Sequence, residues 1–116
     1  MEFLSDGGVR LRPDRITFEP DYVVDRYKFR LIARRGGRDI TVDIPRETVD
    51  DAAALTSAST AQRRASFEKC RSEFEACARD VLRSQAPEVH RVGIDTRTFG
   101  EWRRRLSRLH APGLAS

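Results

Sequence analysis

The side chains that could do chemistry are few. Cys70, Cys77, His90 and His110 are the two cysteines and two histidines of the chain, and their types suit a metal. Zinc sites pair cysteines about two to four residues apart. Here the two stand seven apart, at steps that put both on one apolar stripe of a helix. Their expected role is that of small core hydrophobes, with no metal and no cofactor. On one helix their Cα atoms would lie about 10 Å apart, beyond the roughly 7 Å that a disulfide spans. A nucleophilic cysteine needs a base and an oxyanion site, and the stripe would bury either thiol away from His90. No Gly-x-Ser-x-Gly elbow, phosphate loop or dinucleotide fingerprint occurs. Asp39, Asp43, Asp50 and Asp51 are scattered over turns and helix starts, whereas acid–base work needs two groups in one pocket. No catalytic constellation is visible, and no enzyme activity is expected.

Arginine is more informative. The chain has 22 basic and 18 acidic residues, a net charge of +4. Only Lys28 and Lys69 are lysines. The first 86 residues are nearly balanced, while the last thirty hold six bases against three acids. Arg71 borders the apolar stripe, one turn from Glu75. Its stem is expected to cover apolar surface while its head meets a sheet acid or carbonyl. The alternative is a carboxylate or phosphate site at the helix–sheet seam, using the planar fork of arginine. Near the C-terminus Phe99, Trp102, Leu106 and Leu109 form a second stripe at three- and four-residue steps. Arg97, Arg104 and Arg108 lie opposite, with Arg103 and Arg105 at the edges. Such a helix could dock on its own domain, dock on a second subunit, or offer arginine to nucleic acid. Its apolar face is short for a membrane surface. The candidate interaction residues are therefore Arg71, Glu75, Trp102, Arg103, Arg104, Arg105 and Arg108.

These residues need elements to position them. Arg15–Glu19 alternates polar and apolar, a strand pattern, and Pro20-Asp21 reads as the turn after it. Arg26–Ala33 alternates with Tyr27, Phe29, Leu31 and Ala33 on one face. Arg38–Ile44 alternates with Ile40, Val42 and Ile44 inward. The Gly36-Gly37 pair between them predicts a β-hairpin. The expected sheet is a three-stranded antiparallel meander with one apolar face. Arg46–Leu55 reads as a short helix with acids near its N-terminal end. Ser59 and Gln62 form a capping box that opens a long helix to Ser84. Phe67, Cys70, Phe74, Cys77 and Val81 form its stripe, Ala78 and Leu82 widen it, and Ala76, Asp80 and Arg83 lie opposite. Stripe and sheet face cover each other. Residues 88–94 fit either an edge strand or an extended connection. Thr98 and Glu101 form a second capping box, opening a final helix that stops near Ala111-Pro112-Gly113. Val9–Arg12 reads as a short extended piece after a loose start.

The run Phe67-Glu-Lys-Cys-Arg71-Ser-Glu-Phe74-Glu75-Ala-Cys-Ala78 resembles the helix of a small bacterial family, domain of unknown function 1488. That helix shows Phe, Arg four residues on, an apolar residue followed by Glu, then Ala. Ile44-Pro45-Arg46-Glu47-Thr48-Val49-Asp50-Asp51 is similar to the family's strand end and short acidic helix, with Pro where the family often has Ser. The resemblance covers about residues 15–84, mostly at core positions, and the tail from Pro87 has no counterpart. It implies an α+β fold and no established activity.

At 116 residues, with 39% apolar and 34% charged residues, the expectation is a single soluble domain. Residues 9–86 would form the α+β core and 87–116 a C-terminal extension with the basic amphipathic helix. No apolar run approaches the roughly 20 residues of a membrane span, and free thiols suit a cytoplasmic location. The function expected is that of a non-enzymatic domain working through protein contacts, as a homodimer or regulatory module. The alternative is a nucleic-acid-binding accessory protein that uses the arginine-rich C-terminal helix.

Overall fold

Gly36 and Gly37 have φ angles of 59° and 78°, the left-handed values that a two-residue hairpin turn needs at both positions. They join β2 (Lys28–Arg35) to β3 (Arg38–Pro45) and set an unbroken antiparallel register from Arg35↔Arg38 to Lys28↔Pro45. The structure is a computed structural model that describes residues 15–56 and 58–110. The extended piece expected at 9–12 and the stop expected near Ala111 lie outside them.

The first strand departs from expectation. β1 (Ile16–Val24) runs straight through Pro20-Asp21, where a turn is predicted. Its register with β2 shifts between Phe18↔Ala33 and Tyr22↔Leu31, so Glu19, Pro20 and Asp21 bulge opposite Ile32. Proline lacks an N–H and is tolerated in an edge-strand bulge, where no ladder bond is required of it. The real turn comes later. The Asp25 carboxylate accepts the N–H groups of Tyr27 at 2.7 Å and Lys28 at 2.9 Å, an Asx-type turn. Tyr27 is therefore a turn residue, 62% exposed, and not part of the inward face.

The sheet has four strands, not three. β4 (Arg91–Gly93) pairs parallel to β3, and the strand order is β1-β2-β3-β4. A parallel neighbour requires a crossover, which α1 (Arg46–Ala52) and α2 (Thr60–Arg83) provide. Only Val92 of β4 faces inward, too short a pattern to register as periodicity. Thr48 on α1 is fully buried and donates its hydroxyl to the Ile94 carbonyl at 3.0 Å. Ala54, just past α1, sits at φ 55°.

α2 opens with the predicted capping box: Gln62 N–H donates to Ser59 Oγ at 3.1 Å, and Ser59 N–H to Gln62 Oε1 at 2.8 Å. Phe67, Phe74, Cys77, Ala78 and Leu82 are buried against the inward sheet residues Phe29, Leu31, Ala33, Ile40, Val42 and Ile44. Cys70 and Val81 are half-buried at the stripe's margins. Each large apolar side chain so buried contributes about 1.5–3 kcal/mol. An aromatic row runs Phe29–Phe67–Phe74–Phe99–Trp102, with centroid spacings of 4.4, 5.6, 4.5 and 5.7 Å.

That row carries the last helix, α3 (Thr96–His110), into the core. Its N-cap is Asp95, whose carboxylate accepts the Thr98 N–H at 2.7 Å; the predicted cap, Thr98, lies inside the helix. Phe99 and Trp102 are buried in the same cluster as the sheet residues. Trp102 Nε1–H donates to Asp80 Oδ2 at 2.8 Å, so the side of α2 expected to face solvent is partly covered by α3. The stripe fades along α3: Leu106 is half-buried and Leu109 is 73% exposed. Among the described residues no helix lies on the outward face of the sheet.

Candidate functional site

At the seam between α2 and β1, Arg71 is drawn into the fold. Its Nη1 and Nη2 donate to the carbonyls of Pro20 at 2.7 Å and Glu19 at 2.6 Å, and its Nε donates to Glu75 Oε2 at 2.9 Å. The guanidinium lies 5.2 Å from the Tyr22 ring centre. Arg79 does the same one edge position away, donating Nε–H to the Ile16 carbonyl at 3.0 Å above the Phe18 ring. A bulged edge strand presents carbonyls that the ladder does not use, and two arginines of α2 take them. The Tyr22 hydroxyl donates to Glu68. Burial first, then this bond, pushes the phenol above its ordinary range.

On α3, Arg103 bridges elements. It donates to the Ala52 carbonyl at 3.0 Å and to Glu73 Oε1 at 2.6 Å, with its guanidinium 4.9 Å from the Phe99 ring centre. Arg104, Arg105 and Arg108 are exposed. Arg105 and Arg108 border a shallow groove with Leu109.

On the open sheet face, three cations surround one carboxylate. Arg30 Nε lies 3.0 Å from Asp43 Oδ1, Arg91 Nε 2.8 Å from Oδ2, and Lys28 Nζ 3.9 Å from Oδ2. Burial alone would raise the Asp43 carboxyl. The hydrogen bonds from Arg91 and Arg30 and the charges of Lys28 and Arg91 outweigh it, holding Asp43 below the usual carboxylate range. Next to this cluster Arg34 stands between Glu19 at 2.9 Å and Asp39 at 3.3 Å. Val23, 60% exposed, and half-buried Ile32 border a groove of about 230 Å³ with Glu19, Asp21 and Arg30.

No protein-family model and no curated protein matches the chain. A solved structure does: the crystal structure of a protein of unknown function from the DUF1488 family of Shewanella loihica PV-4 superposes with a TM-score of 0.57. The match covers 72% of this chain and 96% of that one, at 18% sequence identity. The chain has a DUF1488-like fold. The likeness extends to the fold alone.

Within the DUF1488-like fold the candidate residues separate. Arg71 and Glu75 meet at the seam, and every arm of the Arg71 fork has a protein acceptor. Trp102 and Arg103 tie α3 to the core. Arg104, Arg105 and Arg108 face solvent. Burial, with a smaller push from Asp80, raises the Cys77 thiol to about 12. Among the described residues no three of His, Cys, Asp and Glu come together as metal ligands, and no helix is long and apolar enough to cross a membrane. The cluster of Lys28, Arg30, Asp43 and Arg91 was not anticipated. Part of its signal is present in the sequence: a two-residue turn at Gly36-Gly37 sets Arg30 opposite Asp43. The Arg91 contribution depends on β4.

Proposed function

We propose that the protein is a non-enzymatic domain that acts through protein contacts, self-associating through the open face of its sheet. The apolar stripe of α3, which suggests a second subunit in the sequence, is largely covered within the chain. The open face takes over that role. The observation that carries the reading is its charge layout. Outward bases on β2 sit in register with outward acids on β3, Arg30↔Asp43 and Arg34↔Asp39, with Ile32↔Thr41 between them. A two-fold axis along the strands, between β2 and β3, lays Arg30 of one copy over Asp43 of the other and Arg34 over Asp39. Self-complementarity of this kind is what a two-fold interface needs.

The face is small. Three strands of eight or nine residues and one of three, about 4.8 Å apart, cover roughly 450 Å² per copy. A pair would bury roughly 900 Å² in total, below the about 1,200 Å² of stable interfaces and in the range of weak, transient ones. Light scattering tests it: a mass rising with concentration from 13.3 kDa towards twice that value supports the reading, and a concentration-independent monomer refutes it.

A second reading, nucleic-acid binding, is favoured by the exposed Arg104, Arg105 and Arg108 of α3. Gel-shift titration at two salt concentrations separates the two readings. Binding that weakens steeply with salt and disappears in the triple alanine variant supports it. Absence of binding at low salt removes it.

A further inference from the structure

Around Asp43 the open face carries three cations, and Asp25 is a second acid that acts on Lys28 and Arg30 at longer range, which leaves a local excess of one positive charge. Other ion pairs in the fold are closer to balance: Arg34 has two acids, and Arg63 has both oxygens of Asp50. Arg30 and Arg91 each touch Asp43 through Nε alone. Among the described residues their Nη nitrogens make no hydrogen bond, so two planar forks stay available. Such forks match the oxygens of a phosphate, and a phosphate monoester carries about −1.5 to −2 at neutral pH, opposite in sign to the local excess.

The neighbours leave room. Gly93 is in register with Asp43 and faces outward with no side chain. A Cβ there would meet nothing nearer than the Asp43 carbonyl at 3.9 Å. Thr41, next to Arg91 in register, offers a hydroxyl on the same face. Asp43 is a positioning residue: it holds both Nε groups and stays ionised.

The geometry points to a phosphate-binding site formed by Arg30, Arg91 and Lys28 around Asp43. It goes beyond self-association and does not depend on it. The ligand is free phosphate or the phosphate of a small ester, whose organic part the groove of Val23 and Ile32 beside Arg30, lined also by Glu19 and Asp21, would receive. A second copy on this face and a phosphate at it exclude each other, so the test is run at dilute protein.

Inorganic phosphate and phenyl phosphate are titrated at a few micromolar protein, with sodium chloride matching the ionic strength. The readout is the melting temperature, followed by an amide chemical-shift map. Phosphate at about 10 mM is expected to raise Tm by about 2–5 °C through ligand binding to the native state, and to shift Arg30, Thr41, Arg91 and Gly93 saturably. The outward substitutions Arg30→Gln and Arg91→Gln together should lower affinity at least tenfold without loss of circular dichroism. Gly93→Glu, which adds an acid beside Asp43, should do the same. Tighter binding of phenyl phosphate assigns an ester; equal binding assigns free phosphate. Shifts that chloride reproduces, or binding retained in the double variant, overturn the site. So does an oligonucleotide that outcompetes phosphate through Arg30 and Arg91, since it would assign the cluster to a polyanion.

Discussion

The Nη2 of Arg71 on α2 donates to the backbone carbonyl of Glu19 on β1 at 2.6 Å, across 52 positions of sequence. Its Nη1 takes the next carbonyl, Pro20, at 2.7 Å. One guanidinium thus closes a bulge that leaves its carbonyls outside the ladder, and it blunts the edge against pairing with another chain.

Replacing Arg71 tests this directly. Arg71→Ala removes charged hydrogen bonds to two carbonyls and is expected to cost about 2–3 kcal/mol, a fall in Tm of roughly 10 °C. Arg71→Lys should recover less than half, because an ammonium cannot span two acceptors as a fork does. Urea denaturation measures both. A loss below about 0.5 kcal/mol for alanine would make the contact a surface decoration.

Ala54 is a non-glycine residue at φ 55°, where a Cβ is crowded. Glycine suits the left-handed position after a helix. Ala54→Gly is expected to raise stability by about 0.5–1 kcal/mol, the relief of strain exceeding the added freedom of the unfolded chain. The urea midpoint should move up.

Trp102 is the single tryptophan, so its fluorescence reports the docking of α3. Trp102→Ala should cost about 3–5 kcal/mol, while Trp102→Phe keeps the ring packing and loses about 1 kcal/mol with the bond to Asp80. If α3 were a loosely attached extension, alanine would leave the urea transition in place.

Acid should weaken the fold. Burial would raise the Asp43 carboxyl, but Arg91, Arg30 and Lys28 hold it below the ordinary carboxylate range. Asp95 is held below 3.8 first by the Thr98 N–H and then by the Thr98 side chain. Groups lowered in the folded state contribute stability above the unfolded pKa and lose it as pH falls through the folded value. Stability should therefore be flat near neutrality and decline below about pH 4. Asp43→Asn and Asp95→Asn should each flatten that limb when urea midpoints are plotted against pH.

The Cys77 thiol, raised to about 12 by burial, should resist alkylation at neutral pH, since the thiolate is the nucleophile. Cys70, half-buried, should react first. Mass spectrometry after a timed pulse of iodoacetamide reads the order, and equal labelling of both would place Cys77 outside the core.

The central elements were legible because local signals agreed with tertiary ones. Gly36-Gly37 marked the hairpin, and the Ser59–Gln62 box with the Phe67–Phe74 stripe marked α2. What escaped depended on distant partners. Pro20 reads as a strand breaker unless Arg71 is known to receive the bulge. Residues 88–94 fit a strand or a connection, and with Val92 the one inward residue of β4, only β3 beside them decides for the strand. Thr98 and Glu101 fit a cap pattern, yet Asp95 reaches the first turn sooner. The seam role of Arg71 lay among the alternatives drawn from its place beside the stripe. The cluster around Asp43 needed both the hairpin register and a strand too short to read.

The claim that matters most is that the open sheet face is where this protein meets its own kind. Light scattering over a concentration series, on the wild type and on Ile32→Arg, tests it most directly. The account predicts a mass that climbs towards the dimer for the wild type and stays at 13.3 kDa for the folded variant. A wild type that remains monomeric, or a variant that associates equally well, would contradict it.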